Sequence, residues 1–226
     1  MKKIAITISL CLFGAIWLIN PVFAQQKTEE SEVVYTKVIT QRAHKIAVKL
    51  DLTDTLKVNK ATAIIADQYR QLGIIHDLRN DQVKALKKDS TLSKEVVAAK
   101  VTELEKIADL KLKKQHAIYL SKLAKVLNKE QIGKVKDGMT FGVLPATYKG
   151  YVEMLPMLTE KQKVQILAYL TEARELAIDA ESAEKKHATF GKYKGRINNY
   201  LSAEGVETKK AREIWEQKLK ERQAKG

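Results

Sequence analysis

Proline is almost absent from this chain once its first residues are passed. Beyond Pro21 there are only Pro145 and Pro156, eleven residues apart. Proline removes a backbone donor and clashes with the preceding helical turn, so its absence leaves long stretches free to wind. No stretch alternates strictly with period two, as half-buried strands do. Lys, Glu, Ala and Leu, all good helix formers, dominate. The expected fold is all-α: a bundle of long helices with shorter helices towards the C-terminus. An irregular Gly- and Pro-containing segment is expected near 138–157.

Three long helices are expected first, over about 30–49, 53–88 and 94–127. Leu50-Asp51-Leu52-Thr53 breaks the first, Thr53 offers a cap for the second, and "DSTLS" forms the next turn. The third changes its apolar face midway. Val97, Val101, Leu104 and Ala108 make one stripe and Leu112, His116, Leu120, Leu123 and Leu127 another, rotated by roughly 80–100°. The helix therefore bends near "KLKK" or changes partner there. Lys111, Lys114, Lys122 and Lys125 fall within about 80° opposite the second stripe. They make either a solvated face or a basic strip for an acidic partner. His116, inside the stripe, reads as a core histidine with one hydrogen-bond partner.

Met1-Lys2-Lys3, the apolar run from Ile4 to Ile19 and the Val22-Phe23-Ala24 site fit a signal peptide cleaved after Ala24. The run is short for a membrane span. The mature part, 25–226, is expected to be one helical domain without a transmembrane segment, with a possible subdivision into 25–127 and 128–226. Cleavage removes Cys11, the only cysteine, and with it any disulfide or thiolate chemistry. Lys and Arg number 41 against 27 Asp and Glu. Export to the periplasm or beyond keeps this charge from the cytoplasmic nucleic-acid pool, and no nucleic-acid motif is present. Anionic glycans, lipid headgroups or other proteins are the expected acidic partners.

Two short phrases recur, "LNKEQ" at Leu127–Gln131 and "LTEKQ" at Leu158–Gln162. Each places a capping residue, Asn128 or Thr159, three positions before Gln, as a capping box does. Leu52-Thr53 and Leu201-Ser202 look like weaker copies. The phrases resemble the LTxxQ signature of the Spy/CpxP periplasmic chaperones, which implies unfolded client proteins as partners.

Between the phrases, Gly133, Gly138, Met139 and Thr140 nearly spell a phosphate loop. Met139 replaces the essential lysine and no strand precedes it, so that reading fails. Tyr148 and Tyr151 share one side of a short helix, with Glu153 beside them if the chain turns at Gly150. Such a group suits sugar stacking and ordinary packing alike. The helix after Thr159 is apolar over most of its circumference and reads as central and buried. Its polar stripe is Glu172, Glu175 and Asp179.

The stretch "KHATFGKYKGRINNYLSAEG" (186–205), wound as a helix, has an apolar face of Phe190, Ile197 and Leu201. Tyr193 and Tyr200 flank that face. Gly191 and Gly195 make a small-residue groove with His187 and Asn198 along it. Two helical glycines cost about 1 kcal/mol each against alanine, so a close neighbour is expected there. Lys194 and Arg196 are expected to pair with Glu175 or Asp179. A ligand would touch Tyr148, Tyr151, Glu153, His187, Tyr193, Arg196 and Asn198.

"YKGYVEMLPMLTEKQK" and "EARELAIDAESAEKKHATFGKYKGRINNYLSAEG" closely resemble a secreted bacterial family known as a domain of unknown function and described as sugar-binding. Its members occur in Gram-negative glycan degraders, often beside polysaccharide-utilisation genes. The resemblance implies an exported, non-catalytic binding protein for glycan fragments, either oligosaccharide or acidic polysaccharide. Catalysis is poorly supported. His44, His76, His116 and His187 are scattered, and no metal site or cofactor is expected. Glu153 with Glu175 or Asp179 could act as a glycosidase pair if their carboxyls fold to the separation that mechanism needs. A narrow pocket lined by tyrosine, arginine and asparagine would favour the sugar reading, and a broad apolar concave surface the chaperone.

Overall fold

The computed structural model describes the backbone of residues 21–225 and the side chains of 30–217, 220 and 221. Among the described residues there are eight helices and no strand, so the chain is all-α. They are α1 (Pro21–Ala47), α2 (Thr55–Lys88), α3 (Lys94–Ala124), α4 (Lys129–Met139), α5 (Val143–Met154), α6 (Glu160–Ala177), α7 (Ala183–Ala203) and α8 (Thr208–Lys225). The chain divides into two compact units, Met1–Lys37 and Val38–Gly226, and the core residues described below belong to the second. The expected signal peptide falls largely outside the described residues. No described helix is long and apolar enough to cross a membrane.

Local chemistry sets most helix ends. Asn128 and Thr159 each form a complete capping box, with Gln131 and Gln162 reaching back to the cap backbone. Ser93 and Ser182 cap α3 and α7. Asp54, rather than Thr53, caps α2 by accepting from the Leu56 N–H at 2.8 Å. The break before it sits at Asp51, whose φ of 54° is in the left-handed region that Asp tolerates better than most residues. Leu201-Ser202 starts no helix; it lies in the last turn of α7.

The segment near 138–157 is more regular than its composition suggests. Pro145 falls in the first turn of α5, where backbone donors have no intrahelical partner. Phe141 and Gly142, at φ of 58° and 67°, make the turn before it. Gly138 has a packing reason: a Cβ there would stand 2.9 Å from the Ile46 side chain of α1.

Two apolar cores result. The end of α1 with α2, α3 and α4 buries Ala43, Ala47, Leu50, Ile65, Tyr119, Leu123, Val135 and Met139. Helix α3 is uninterrupted; its stripes rotate because its second half meets α4 as well as α2, with the Tyr119 hydroxyl donating to Met139 Sδ at 3.1 Å. The second core, from α5 to α8, buries Leu144, Tyr151, Leu155, Ile166, Leu170, Phe190, Ile197 and Leu201. Helix α4 thus joins the first core, and the apolar division falls after it rather than at 127/128. Ile178, just beyond α6, inserts into the first core.

Helices α6 and α7 pack against each other as expected, with two departures. Only one side of α6 is covered: Val164, Leu167 and Leu176 remain 66%, 41% and 57% exposed. The Gly191/Gly195 stripe faces open space, for a Cβ at either position would meet nothing within 4 Å. Among the described residues, no neighbouring helix therefore fills the expected groove. The buried side of α7 instead carries Lys186, in line with Phe190, Ile197 and Leu201. Its Nζ donates to the carbonyls of Ala177 and Ile178 at 3.1 and 2.7 Å, closing the C-terminal end of α6. Burial pulls this amine down to about 8.

Candidate functional site

Helices α5, α7 and α8 line an open groove of about 430 Å³, a volume within the range of small-ligand sites. Gly150 is part of its floor, and the Trp215 indole reaches to 3.9 Å from where a Cβ on Gly150 would stand. Alanine would fit at Gly150, whereas a longer side chain would fill the groove. Tyr151 and Met154 supply further wall, and Thr147 a hydroxyl. Among the described lining residues, Lys194 from α7 and Arg212 from α8 bring two cations and Glu216 one carboxylate.

Tyr151 is the anchor of this wall. It is buried, and its hydroxyl donates to Asn198 Oδ1 at 2.8 Å, with the Lys194 carbonyl at 3.3 Å. Burial pushes the phenol up to about 12, so it stays neutral. The bonds join α5 to α7 and fix the backbone that carries Lys194.

The residues expected to form one rim fall into separate groups. Tyr151, Asn198 and Lys194 meet at the groove. Tyr193 and Arg196 lie on the other side of α7, where the guanidinium sits over the Tyr169 ring at 4.5 Å and within 5.7 Å of the Tyr193 ring. His187 stacks on Phe141 at 5.6 Å between centroids. Tyr148 packs, half-buried, on the second core. Glu153 pairs with Lys149 on its own helix at 3.7 Å.

The expected ion pairs are also different. Arg196 pairs with Glu172 at 3.1 Å, not with Glu175 or Asp179, and Lys194 faces the groove. Glu175 and Asp179 instead belong to a polar seam between the two cores. His116 Nδ1 lies 2.6 Å from Asp179 and its Nε2 3.6 Å from Glu175. Lys136 also pairs with Glu175, and Arg174 reaches Asp137 at 2.8 Å. From α2, Gln68 donates to Asp179 Oδ1 at 3.3 Å, and His76 Nε2 lies 2.8 Å from the Asp179 carbonyl.

His116 is therefore an ion-pairing histidine with two carboxylates, not a core histidine with one partner. Its hydrogen bond to Asp179, then the contact with Glu175, raise it to about 9 against the cost of burial. Burial alone would raise Glu175, but His116, Lys136 and Arg174 outweigh it and bring the carboxyl to about 2. Glu175 and Asp179 are thus committed to cations, while Glu153 is held by Lys149. This arrangement lends no support to a glycosidase pair.

The chain from 36 to 221 matches the model of a family described as Protein of unknown function (DUF3826). That span includes every described residue lining the groove and both sides of the seam. The chain belongs to this family. No curated protein matches it. The family description carries no chemistry, so the groove must be read from its own residues.

Sequence reasoning missed Trp215, Arg212 and Glu216. They sit on a helix so rich in charge that its apolar contact is hard to see. One signal was available: Trp215 is the only tryptophan after Trp17, and a lone tryptophan in a charged helix marks the turn that meets something. Lys186 was legible on similar grounds, as a lysine in register with Phe190, Ile197 and Leu201.

Proposed function

We propose that this chain is an exported, non-catalytic protein that binds acidic oligosaccharide fragments in the groove between α5, α7 and α8. One observation carries the reading: the groove places Trp215 beside Lys194 and Arg212. An indole face suits the C–H face of a pyranose ring, because its negative quadrupole attracts the slightly positive ring hydrogens. Two cations with one carboxylate select an anionic ligand, and Glu216 and Thr147 can exchange hydrogen bonds with hydroxyls. The apolar run before Ala24 supports export.

The reading is tested by titrating the protein with a uronic-acid trisaccharide such as trigalacturonate. Trp215→Ala should lower affinity on the order of tenfold to a hundredfold, as loss of an aromatic anchor does. Gly150→Leu should abolish binding while leaving both cations in place. Unchanged affinity in both variants would place the ligand elsewhere.

A further inference from the structure

We propose that the outer face of the second half of α3 is a docking surface for an anionic lipid bilayer. This face lies on the long hairpin with α2, apart from the groove, and the proposal does not depend on the groove's ligand.

At 100° per residue, Ile107, Leu110, Lys111, Lys114, Ile118 and Lys125 fall within an arc of about 100° on the side away from α2 and the first core. All six are exposed. Leu110 is 67% exposed, and Ile107 and Ile118 are 43% and 41% exposed. Burial on the other side is complete at Ala108, Tyr119 and Leu123. The helix thus has a covered side and, opposite it, a second apolar strip that stays exposed among the described residues.

The charge around this strip is mainly positive. From Ile107 to Lys125 there are five lysines and one acid, Asp109, which at 100° per residue falls outside the arc of the strip. Lys122 is paired with Asp67 at 2.7 Å, and among the described residues Lys111, Lys113, Lys114 and Lys125 take part in no ion pair.

Exposed leucine and isoleucine between unpaired lysines fit an anionic membrane surface better than a soluble acidic polymer. The ammonium groups would meet lipid phosphates while the three apolar side chains enter the headgroup–acyl boundary. A polysaccharide would use the lysines and leave Leu110 and Ile118 without purpose. The helix would lie on the bilayer, not cross it. From Ile107 to Lys125 the face is roughly 27 Å long at 1.5 Å per residue, and α2 behind it keeps it straight.

The test is co-sedimentation of the mature part, 25–226, with vesicles of phosphatidylcholine alone and of phosphatidylcholine with one-third phosphatidylglycerol. Binding should require the anionic lipid and weaken as salt rises. Lys111→Gln with Lys114→Gln should lower the partition coefficient about 25-fold, at about fivefold per lysine. Leu110→Ser with Ile118→Ser should lower it further and remove the binding that survives high salt. Lys161→Gln, at an exposed lysine of α6 far from this face, should change nothing. Absence of binding to anionic vesicles would overturn the proposal. An equal loss in Lys161→Gln would overturn it too, by showing that net charge alone is read. If the lysine variant loses binding, the Leu110/Ile118 variant keeps it and polygalacturonate displaces the protein from vesicles, the partner is an acidic polymer and the lipid proposal fails.

Discussion

Replacing His116 by Gln removes the titrating cation between Asp179 and Glu175 and leaves a polar side chain of similar reach. The imidazole is held at about 9 against an ordinary 6.5, first by Asp179 and then by Glu175. That displacement corresponds to on the order of 3 kcal/mol of folding free energy. The folded state binds the proton more tightly than the unfolded state. The contribution is therefore complete below about pH 6.5 and is lost as pH rises through about 9. Glu175, brought down from 4.5 to about 2, adds an acid limb: its contribution holds above about pH 4.5 and is lost towards pH 2. The two limbs share the His116–Glu175 contact and are not additive. Lys186 complicates the alkaline side with the opposite sign. Burial brings its amine from 10.5 to about 8, so its cost to the folded state is relieved as pH rises from about 8 to 10.5. Comparing variant with wild type at each pH cancels that background. In urea and thermal unfolding, wild type should exceed His116→Gln by on the order of 3 kcal/mol near pH 6. For a domain of this size that is a Tm difference of roughly 6–12 °C. Near pH 9.5 the difference should almost vanish. An equal difference at both pH values, or none near pH 6, would refute the role of the ion pair.

Three further outcomes follow from packing. Gly191→Ala with Gly195→Ala should stabilise the protein by about 1–2 kcal/mol, since both positions face open space and alanine is the better helix former. A lowered urea midpoint would mean that a neighbour closes on this face. Gly138→Ala should destabilise by about 1–3 kcal/mol, because the new methyl would stand 2.9 Å from the branch of Ile46; an unchanged midpoint would show that α1 shifts freely. Lys186→Ala should cost about 2–3 kcal/mol by stripping two carbonyls at the end of α6 of their buried donor, and chemical denaturation reads this directly.

Much of the fold was legible because it is written in local chemistry. The capping boxes at Asn128 and Thr159, the α2–α3 turn and the pairing of α6 with α7 need only nearby residues and an apolar stripe. Partnerships across the fold were not legible. The acidic stripe of α6 was visible, but its counter-ions come from α3 and α4, and no periodicity on α6 or α7 points to His116 or Lys136. Gly191 and Gly195 misled for a related reason: their cost suggests a close neighbour, yet the sequence does not say which side of α7 is covered. Of the candidate site, Tyr151 was named through its register on α5 and Asn198, its hydrogen-bond partner, through its register on α7, whereas Lys194 was expected as an ion-pair partner of Glu175 or Asp179. The α8 contribution was hidden by that helix's charge.

The central claim, that the groove beside Trp215 holds an acidic oligosaccharide, is tested most directly by calorimetric titration with trigalacturonate and, in parallel, with neutral galactotriose. One saturable site is expected for the acidic sugar, with much weaker binding of the neutral one, a lower affinity in Lys194→Gln and loss of binding in Gly150→Leu. Equal affinity for both sugars, no heat with either, or full affinity in Gly150→Leu would contradict it.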